Sequence, residues 1–425
     1  MKNKMKMKLN QNNISKRVVI TGYGAVTPLG ESSLKHWDAI LNKRMGFTYI
    51  NKHKNNINTN FIGIVENEPD ISFTPLALRR RLPKYTRLTL KAAQEAVSMA
   101  FGSQRPTDIY APIECGVILG TGWGGIDECF NSSNEWLLSN LASPFTCFFN
   151  MINISSAACS QLWNLRGYQN TVSAACATGT IAIGDAYEIV KNGKAKMMLA
   201  GAGESLRSDF SQWSIDILGA LSKEKTNIQK ASCPFSKDRS GFVLSEGAAV
   251  VCIEELDSAL ARNAKILGEI KSYTNFSDAY DLTNPAVDCY ARSMTIKECV
   301  SQAGITYSEL DYINAHGTST KLNDLNETNA LKLALGKHAY SIPISSTKSY
   351  SGHLISAAGT FETIVCLQAM NANIIPATLN LINPDPECDL DYVAGDHRKA
   401  VINHALNLSF GFGGANAALM LEKYS

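Results

Sequence analysis

The chain has 425 residues, 45% hydrophobic and 18% charged, with 40 basic against 38 acidic side chains. The formal net charge of +2 excludes the strong basic footprint of a nucleic-acid or anionic-membrane binder. At roughly 150 residues per domain, the length fits two or three domains or one architecture built from two halves, with a core that needs no disulfides or structural metal.

Residues 1–16 are rich in Lys and Asn and lack the apolar stretch of a signal peptide, so they are expected to form a disordered basic arm. No apolar run approaches the ~20 residues of a membrane span. From Arg17 the pattern is ordered. Val18–Thr21 reads as a buried strand, Ser33–Asn42 as a short helix, and the polar stretch Lys52–Ser72 as surface loop. Arg87–Phe101 has helical apolar spacing, and Cys115–Leu119 is a second strand running into the glycine cluster Gly120–Gly125. That cluster lacks the Lys-Ser/Thr of a P-loop and the downstream acid of a dinucleotide site, which leaves a tight functional turn. Thr171–Ser173 reads as a strand leading through Cys176 into a helix that Asn192-Gly193 stops. Met197–Ala200 and Ala248–Ile253 are further buried strands.

A second series with the same grammar starts at Lys265–Ser272. It holds helices over Ala291–Gln302, Asp324–Leu335 and Ser356–Met370, and strands at Tyr312–Asn314, Ile344–Ser346 and within Asn407–Leu421. Alternating strands and helices predict an α/β fold with largely parallel sheets, duplicated into halves over 17–263 and 264–425.

Eleven cysteines, an odd number with no Cys-x-x-Cys pair, indicate neither a disulfide framework nor a zinc ribbon. Most read as small core hydrophobes, and free thiols in this number fit a reducing cytoplasm. Cys176 differs in setting: it sits among Ala, Gly and Thr where a strand gives way to a helix. A helix N-terminus favours thiolate, and small neighbours leave room for a substrate carbon. A buried structural thiol is the competing reading. His316, in Asn314-Ala315-His316-Gly317-Thr318-Ser319-Thr320, follows a strand where α/β folds place ligands. His353 follows Lys348 in a second strand-to-helix junction, whereas His36, His53, His338, His397 and His404 sit in polar or surface-like contexts. A thiol, two imidazoles and an ammonium at such junctions form a coherent set for carbonyl chemistry. Zinc on Cys176, His316 and His353 is the alternative, without any of the usual short ligand spacings. Finally, Ser409–Asn416 is a glycine-rich turn suited to an oxyanion hole or, more simply, to a β-bulge.

Together, the motifs from Val18–Gly24 to Gly411–Gly414, with Cys176, His316, Lys348 and His353 in order between them, resemble the β-ketoacyl-acyl-carrier-protein synthases. These are decarboxylating condensing enzymes of the thiolase superfamily. The resemblance implies a duplicated α/β thiolase fold in a five-layered αβαβα arrangement, acting as a dimer. It implies Cys176 as the acylated nucleophile, and His316 and His353 as the pair that promotes malonyl decarboxylation. Lys348 matches the supporting lysine and Glu362 its carboxylate. The backbone N–H groups of Cys176 and Phe412 match an oxyanion hole, Phe412 also a gate on acyl entry. Thr318 and Thr320 match positions lining the phosphopantetheine arm. No cofactor or metal is implied on the chain itself, since the acyl carrier protein brings the phosphopantetheine.

Within the family, Lys321–Thr328, Leu335–Tyr340, Pro384–Val393 and Ser277–Thr283 look most like the ketosynthase-α subunit of type II polyketide synthases. Such subunits pair as heterodimers with a cysteine-less chain-length factor. Ser409–Asn416 looks closer to a fatty-acid-type elongating synthase, which, like a polyene-making relative, would act as a homodimer. A non-catalytic chain-length-factor-like subunit would lack Cys176, and a CoA-dependent thiolase-like enzyme would not normally carry this Cys-His-His set.

Overall fold

The computed structural model describes residues 15–50 and 57–424. Residues 1–14 of the expected arm lie outside the described residues. Lys16 is tied down: its N–H donates to Lys191 O (3.0 Å) and its ammonium pairs with Glu255 (2.7 Å).

The N-terminal half of the sheet is built from β1 (Val18–Val26), β2 (Cys115–Gly120), β3 (Gln169–Asn170), β4 (Met197–Glu204) and β5 (Gly247–Glu255). The C-terminal half is built from β6 (Gly268–Ser277), β7 (Tyr312–Asn314), β8 (Ile344–Ser345), β9 (His404–Gly411) and β10 (Ala415–Glu422). Their spatial order is β3-β2-β4-β5-β1 and β8-β7-β9-β10-β6, so the two series repeat one topology. The halves meet where β1 pairs antiparallel with β6 through three residue pairs, Val18–Ile270, Val19–Glu269 and Ile20–Gly268.

The sheet is mixed, not largely parallel. In each half the two outermost pairings away from the seam are parallel, and the two nearer it are antiparallel. The strand-helix alternation that suggested parallel connections is interrupted where each half closes: a long excursion precedes β5, and a four-residue turn's reversal joins β9 to β10. The strand expected at Thr171–Ser173 is displaced to Gln169–Asn170, where pairing with Val117 and Ile118 ends. Within the expected Lys52–Ser72 loop, residues 51–56 lie outside the described residues and Phe61–Gly63 is a strand, paired with Phe47–Tyr49 and with Leu244–Ser245.

Helices complete five layers. α1 (Ser33–Leu41) packs across β1 and the later helix Ala358–Ala372; α2 (Lys84–Phe101) covers β1 and β5, and α3 (Ile154–Trp163) covers β2. α4 (Thr178–Lys191) lies on β4 and β2, against α7 (Ala358–Ala372) on β9. α5 (Tyr290–Ala303) covers β6 and β10, with α6 (Lys321–Leu335) beside it. The middle layer is the tight one. A Cβ at Gly179 would lie 2.6 Å from Thr360 Oγ1, and one at Gly359 2.1 Å from Thr180 Oγ1, so these glycines let α4 and α7 cross in contact. Each helix is entered through a 3-10 turn, Ala175–Ala177 before α4 and Ile355–Ala357 before α7. His36, expected near the surface, is fully buried against Phe361 of α7 and bonds to Gly30 O at 2.7 Å. Burial lowers its pKa to about 4.

Candidate active site

Three elements converge at the crossing of the central helices. Cys176 occupies the turn before α4, with Ala175 held at φ 47°. His316 lies two residues beyond β7, where its N–H and that of Gly317 donate to Glu327 of α6 at 2.7 and 2.8 Å. His353 follows the helical turn Lys348–Ser351, and its backbone is clamped in strand fashion: its N–H donates to Val243 O (2.7 Å) and its carbonyl accepts from Ser245 N–H (3.0 Å). The strand 61–63 thus reaches the site indirectly, by pairing with the segment that holds His353.

The Cys176 sulfur and one ring nitrogen from each histidine lie within 4.8 Å of one another, and all three residues are buried. The imidazole rings are 5.5 Å apart at 80°, with Phe242 edge-on to His353 at 5.0 Å and Phe410 beside His316 at 5.8 Å. His353 Nδ1 accepts the Ile355 N–H at 3.2 Å, which places the proton of a neutral ring on Nε2. Nε2 is buried without a protein partner, leaving a donor free for a ligand. Burial and the Lys348 ammonium hold both imidazoles well below the usual histidine range, so they are neutral at pH 7. Lys348 pairs with Glu362, both buried and outside the cavity wall; burial lifts the Glu362 carboxyl to about 7 against the pull of Lys348. The same ammonium opposes a divalent cation on the thiol and imidazoles, so the donor set suits a neutral, polarisable ligand better than zinc.

Cys176 departs from the expectation of a stabilised thiolate. Burial pushes its thiol up to about 12, outweighing Lys348 and the backbone N–H groups of Phe412 and Cys176 that act on the sulfur. The turn before α4 delivers the Cys176 N–H and the turn after β9 that of Phe412, but water is excluded more completely than they can compensate. The resting group is a thiol.

A cavity of about 360 Å³ opens from this cluster. Thr318 and Thr320 line it, their hydroxyls 2.9 Å apart, and Thr320 caps α6 by accepting from Asn323 N–H at 3.3 Å. Phe412 also lines it, on the turn Gly411–Gly414 that joins β9 to β10. Gly411 has no room for a side chain: a Cβ would lie 2.6 Å from Ala174 O and 3.3 Å from Cys176 N. Gly411→Ala is expected to push the Phe412 N–H off the sulfur and, on the expectation that Cys176 takes the acyl group, to slow that step about 100-fold, measured by burst kinetics. Acylation at the wild-type rate in a folded variant would separate this turn from the chemistry. The Gly120–Gly125 turn, expected to be functional, is absent from the cavity wall; it wraps the buried Glu204 carboxylate, which accepts from Gly122 N–H (2.7 Å) and Thr121 Oγ1 (3.1 Å).

All eleven cysteines are unpaired. Glu327, Phe242, Phe410 and Arg292 belong to the site without having been singled out in the sequence. Only Glu327 carried a local signal, as an acid in the helix that follows the His316 motif.

A duplicated five-layered α/β fold with a Cys-His-His cluster at the crossing of its central helices defines a thiolase-fold condensing enzyme. Comparisons with known proteins narrow this. Residues 15–259 match "Beta-ketoacyl synthase, N-terminal domain" and residues 267–382 "Beta-ketoacyl synthase, C-terminal domain". A 3-oxoacyl-[acyl-carrier-protein] synthase 2 from Synechocystis sp. is 38% identical, covering 96% of this chain and 98% of its own. One from Coxiella burnetii is 36% identical, covering 96% and 99%. The ketosynthase structure described as a type II PKS acyl-carrier protein in complex with its ketosynthase bound to the hexaketide (AntDE:AntF) is 31% identical. It superposes with a TM-score of 0.88 over 96% of this chain and 100% of that one. The chain belongs to the β-ketoacyl synthase family. Within it, the chain is a β-ketoacyl-acyl-carrier-protein synthase, an acyltransferase that forms carbon–carbon bonds.

Proposed function

We propose that the chain extends a Cys176-bound acyl group by decarboxylative Claisen condensation with a malonyl thioester on an acyl carrier protein. The observation that carries this is the His353 imidazole, neutral and with its Nε2–H unpartnered beside the thiol and His316. In the first half-reaction the Cys176 sulfur attacks an acyl thioester, its proton leaves with the carrier's thiol, and the Phe412 and Cys176 N–H groups meet the negative charge on the carbonyl oxygen. In the second, the malonyl C–C bond to its carboxylate breaks, CO2 departs, and the electron pair forms an enolate whose oxygen takes hydrogen bonds from His316 and His353. The enolate carbon then bonds to the acyl carbonyl carbon, and the Cys176 sulfur leaves and regains a proton. Burial, reinforced by Lys348 held on Glu362, keeps both imidazoles neutral. Thr318 and Thr320 line the path of the phosphopantetheine arm, which the carrier supplies, and no cofactor resides on the chain.

Fatty-acid-type elongation as a homodimer is favoured by the 34–38% identity to 3-oxoacyl-[acyl-carrier-protein] synthase 2 enzymes across nearly the full chain. The second reading, the ketosynthase-α of a type II polyketide synthase with a cysteine-less chain-length factor, draws on the likeness to AntDE:AntF. Either reading places the enzyme in the cytoplasm, where eleven unpaired thiols are stable. The experiment is incubation of the purified chain with acyl- and malonyl-loaded carrier protein, followed by mass spectrometry of the carrier. A product two carbons longer, made by the chain alone as a homodimer, supports elongation. Extension only in the presence of a cysteine-less paralogue supports the polyketide reading. Extension from acetyl-CoA without malonate would overturn both.

A further inference from the structure

Of the charged side chains that line this cavity, Lys223 and Lys321 are exposed and Asp278 is half-buried; Arg292 is buried, and the reaction above leaves it without a task. It stands in the first turn of α5, is 6% exposed, and lines the same cavity as Cys176, His316 and His353. Its guanidinium stacks on the Phe410 ring, Cζ 4.3 Å from the centroid, and that ring is 5.8 Å from the His316 ring. Arg292 Cζ is therefore no more than about 10 Å from the centre of His316. Among the described residues its guanidinium makes one hydrogen bond, from Nη1 to Asn323 Oδ1 at 3.0 Å, and Nε is buried with no partner. Among the described residues, no carboxylate reaches ion-pairing distance.

The surrounding acids are committed elsewhere. Glu327 accepts the His316 and Gly317 N–H groups, and Asp324 accepts from Phe235 N–H and faces Arg239 at 3.8 Å. Asp278, which shares the cavity wall, accepts the Asn416 amide at 2.7 Å. A buried guanidinium with most of its donors unmatched is costly unless an anion arrives to meet it. The planar fork matches a carboxylate at two points. The phosphate of a pantetheine arm lies at the far end of that arm from its thioester, whereas Arg292 sits close to the reacting groups. The anion that travels to this depth is the free carboxylate of the extender unit.

We propose that Arg292 docks the malonyl carboxylate, orienting the extender so that its thioester oxygen meets His353 and His316 before CO2 leaves. This rests on the condensation reading above. Arg292 is a positioning and specificity residue: it selects a carboxylated extender over an uncharged acyl thioester and acts before the bond breaks.

The test compares binding of two non-reactive pantetheine amides to the full-length enzyme, one bearing a malonyl group and the other its neutral 3-oxobutyryl counterpart. Wild type is expected to prefer the charged probe about 10- to 100-fold. Arg292→Met should abolish that preference and Arg292→Lys retain part of it, with KM for malonyl-carrier raised far more than acylation of Cys176 is slowed. Equal weakening of both probes would overturn the proposal and make Arg292 a pantetheine contact. Absence of any charge preference in wild type overturns it whether or not the variants fold. An enzyme that condenses normally but shows no preference fails on this inference alone. A wild-type chain that neither acylates Cys176 nor extends a chain fails on the function itself.

Discussion

Cys176→Ala is expected to leave a folded protein that no longer gains acyl mass when mixed with acyl-carrier protein. The sulfur is the site's only group able to form the thioester, and chain extension should fall at least about 1,000-fold. The side chain is small and 6% exposed, so its loss removes little packing. Intact-protein mass spectrometry reads the result directly. An acyl adduct that persists on the variant would move the nucleophile elsewhere. Because burial holds the thiol up at about 12, acylation in wild type should not follow a thiol titration between pH 6 and 8. Alkylation of Cys176 by iodoacetamide should be slow at pH 7 and rise with pH, since the thiolate is the reactive form.

His353→Ala and His316→Ala should each lower malonyl decarboxylation about 100- to 1,000-fold, while acylation of Cys176 changes far less. The distinction follows from geometry: the imidazoles supply donors for the enolate, whereas the acyl carbonyl meets backbone N–H groups. Trapped CO2 and adduct mass, measured on the same sample, separate the two steps. Equal loss of both would indicate collapse of the pocket. The pH dependence has a definite sign. Both folded-state pKa values lie well below 6.5, so the rings are already neutral at pH 6.5 and raising the pH further removes no proton from them. The rings alone should therefore leave decarboxylation steady from pH 6.5 to 8 and lower it only under acid, and the flat interval is best read in Glu362→Gln, which removes the neighbouring carboxyl lifted to about 7. A rate that fell across that interval with an ordinary histidine titration would mean that an imidazolium does the work.

The groups legible in the sequence share one property: Cys176, His316, Lys348 and His353 each sit where a strand hands over to a helix, within a few residues of small or hydroxylated neighbours. Such junctions can be read locally. Arg292, Phe242 and Phe410 could not be, because a lone arginine or a phenylalanine in an apolar run becomes part of a site only when distant segments close around it. The same limit explains the misread segment at 61–63. In a polar, Asn-rich stretch, three residues carry no periodicity, and their strand character comes from the partners Phe47–Tyr49 and Leu244–Ser245. The thiolate expectation erred for a related reason. The helix start at Cys176 follows from local chain geometry, but the burial that overrides it is set by Phe242, Leu206 and Ile355 packing in the same cluster.

The repeated strand order has a consequence for how one thiol came to act alone. Ala175 and Ile355 both adopt left-handed backbone, φ 47° and 51°, at equivalent places before α4 and α7. Counting on from each, Cys176 corresponds to Ser356, Gly179 to Gly359 and Thr180 to Thr360. The molecule thus carries two copies of one elbow, with sulfur at the tip of the first and oxygen at the tip of the second. Ser356 Oγ is spent on Gly203 O at 3.1 Å and is fully buried. Here the first half carries the sulfur tip and the second carries both imidazoles, so neither half holds the whole site and the two cannot part.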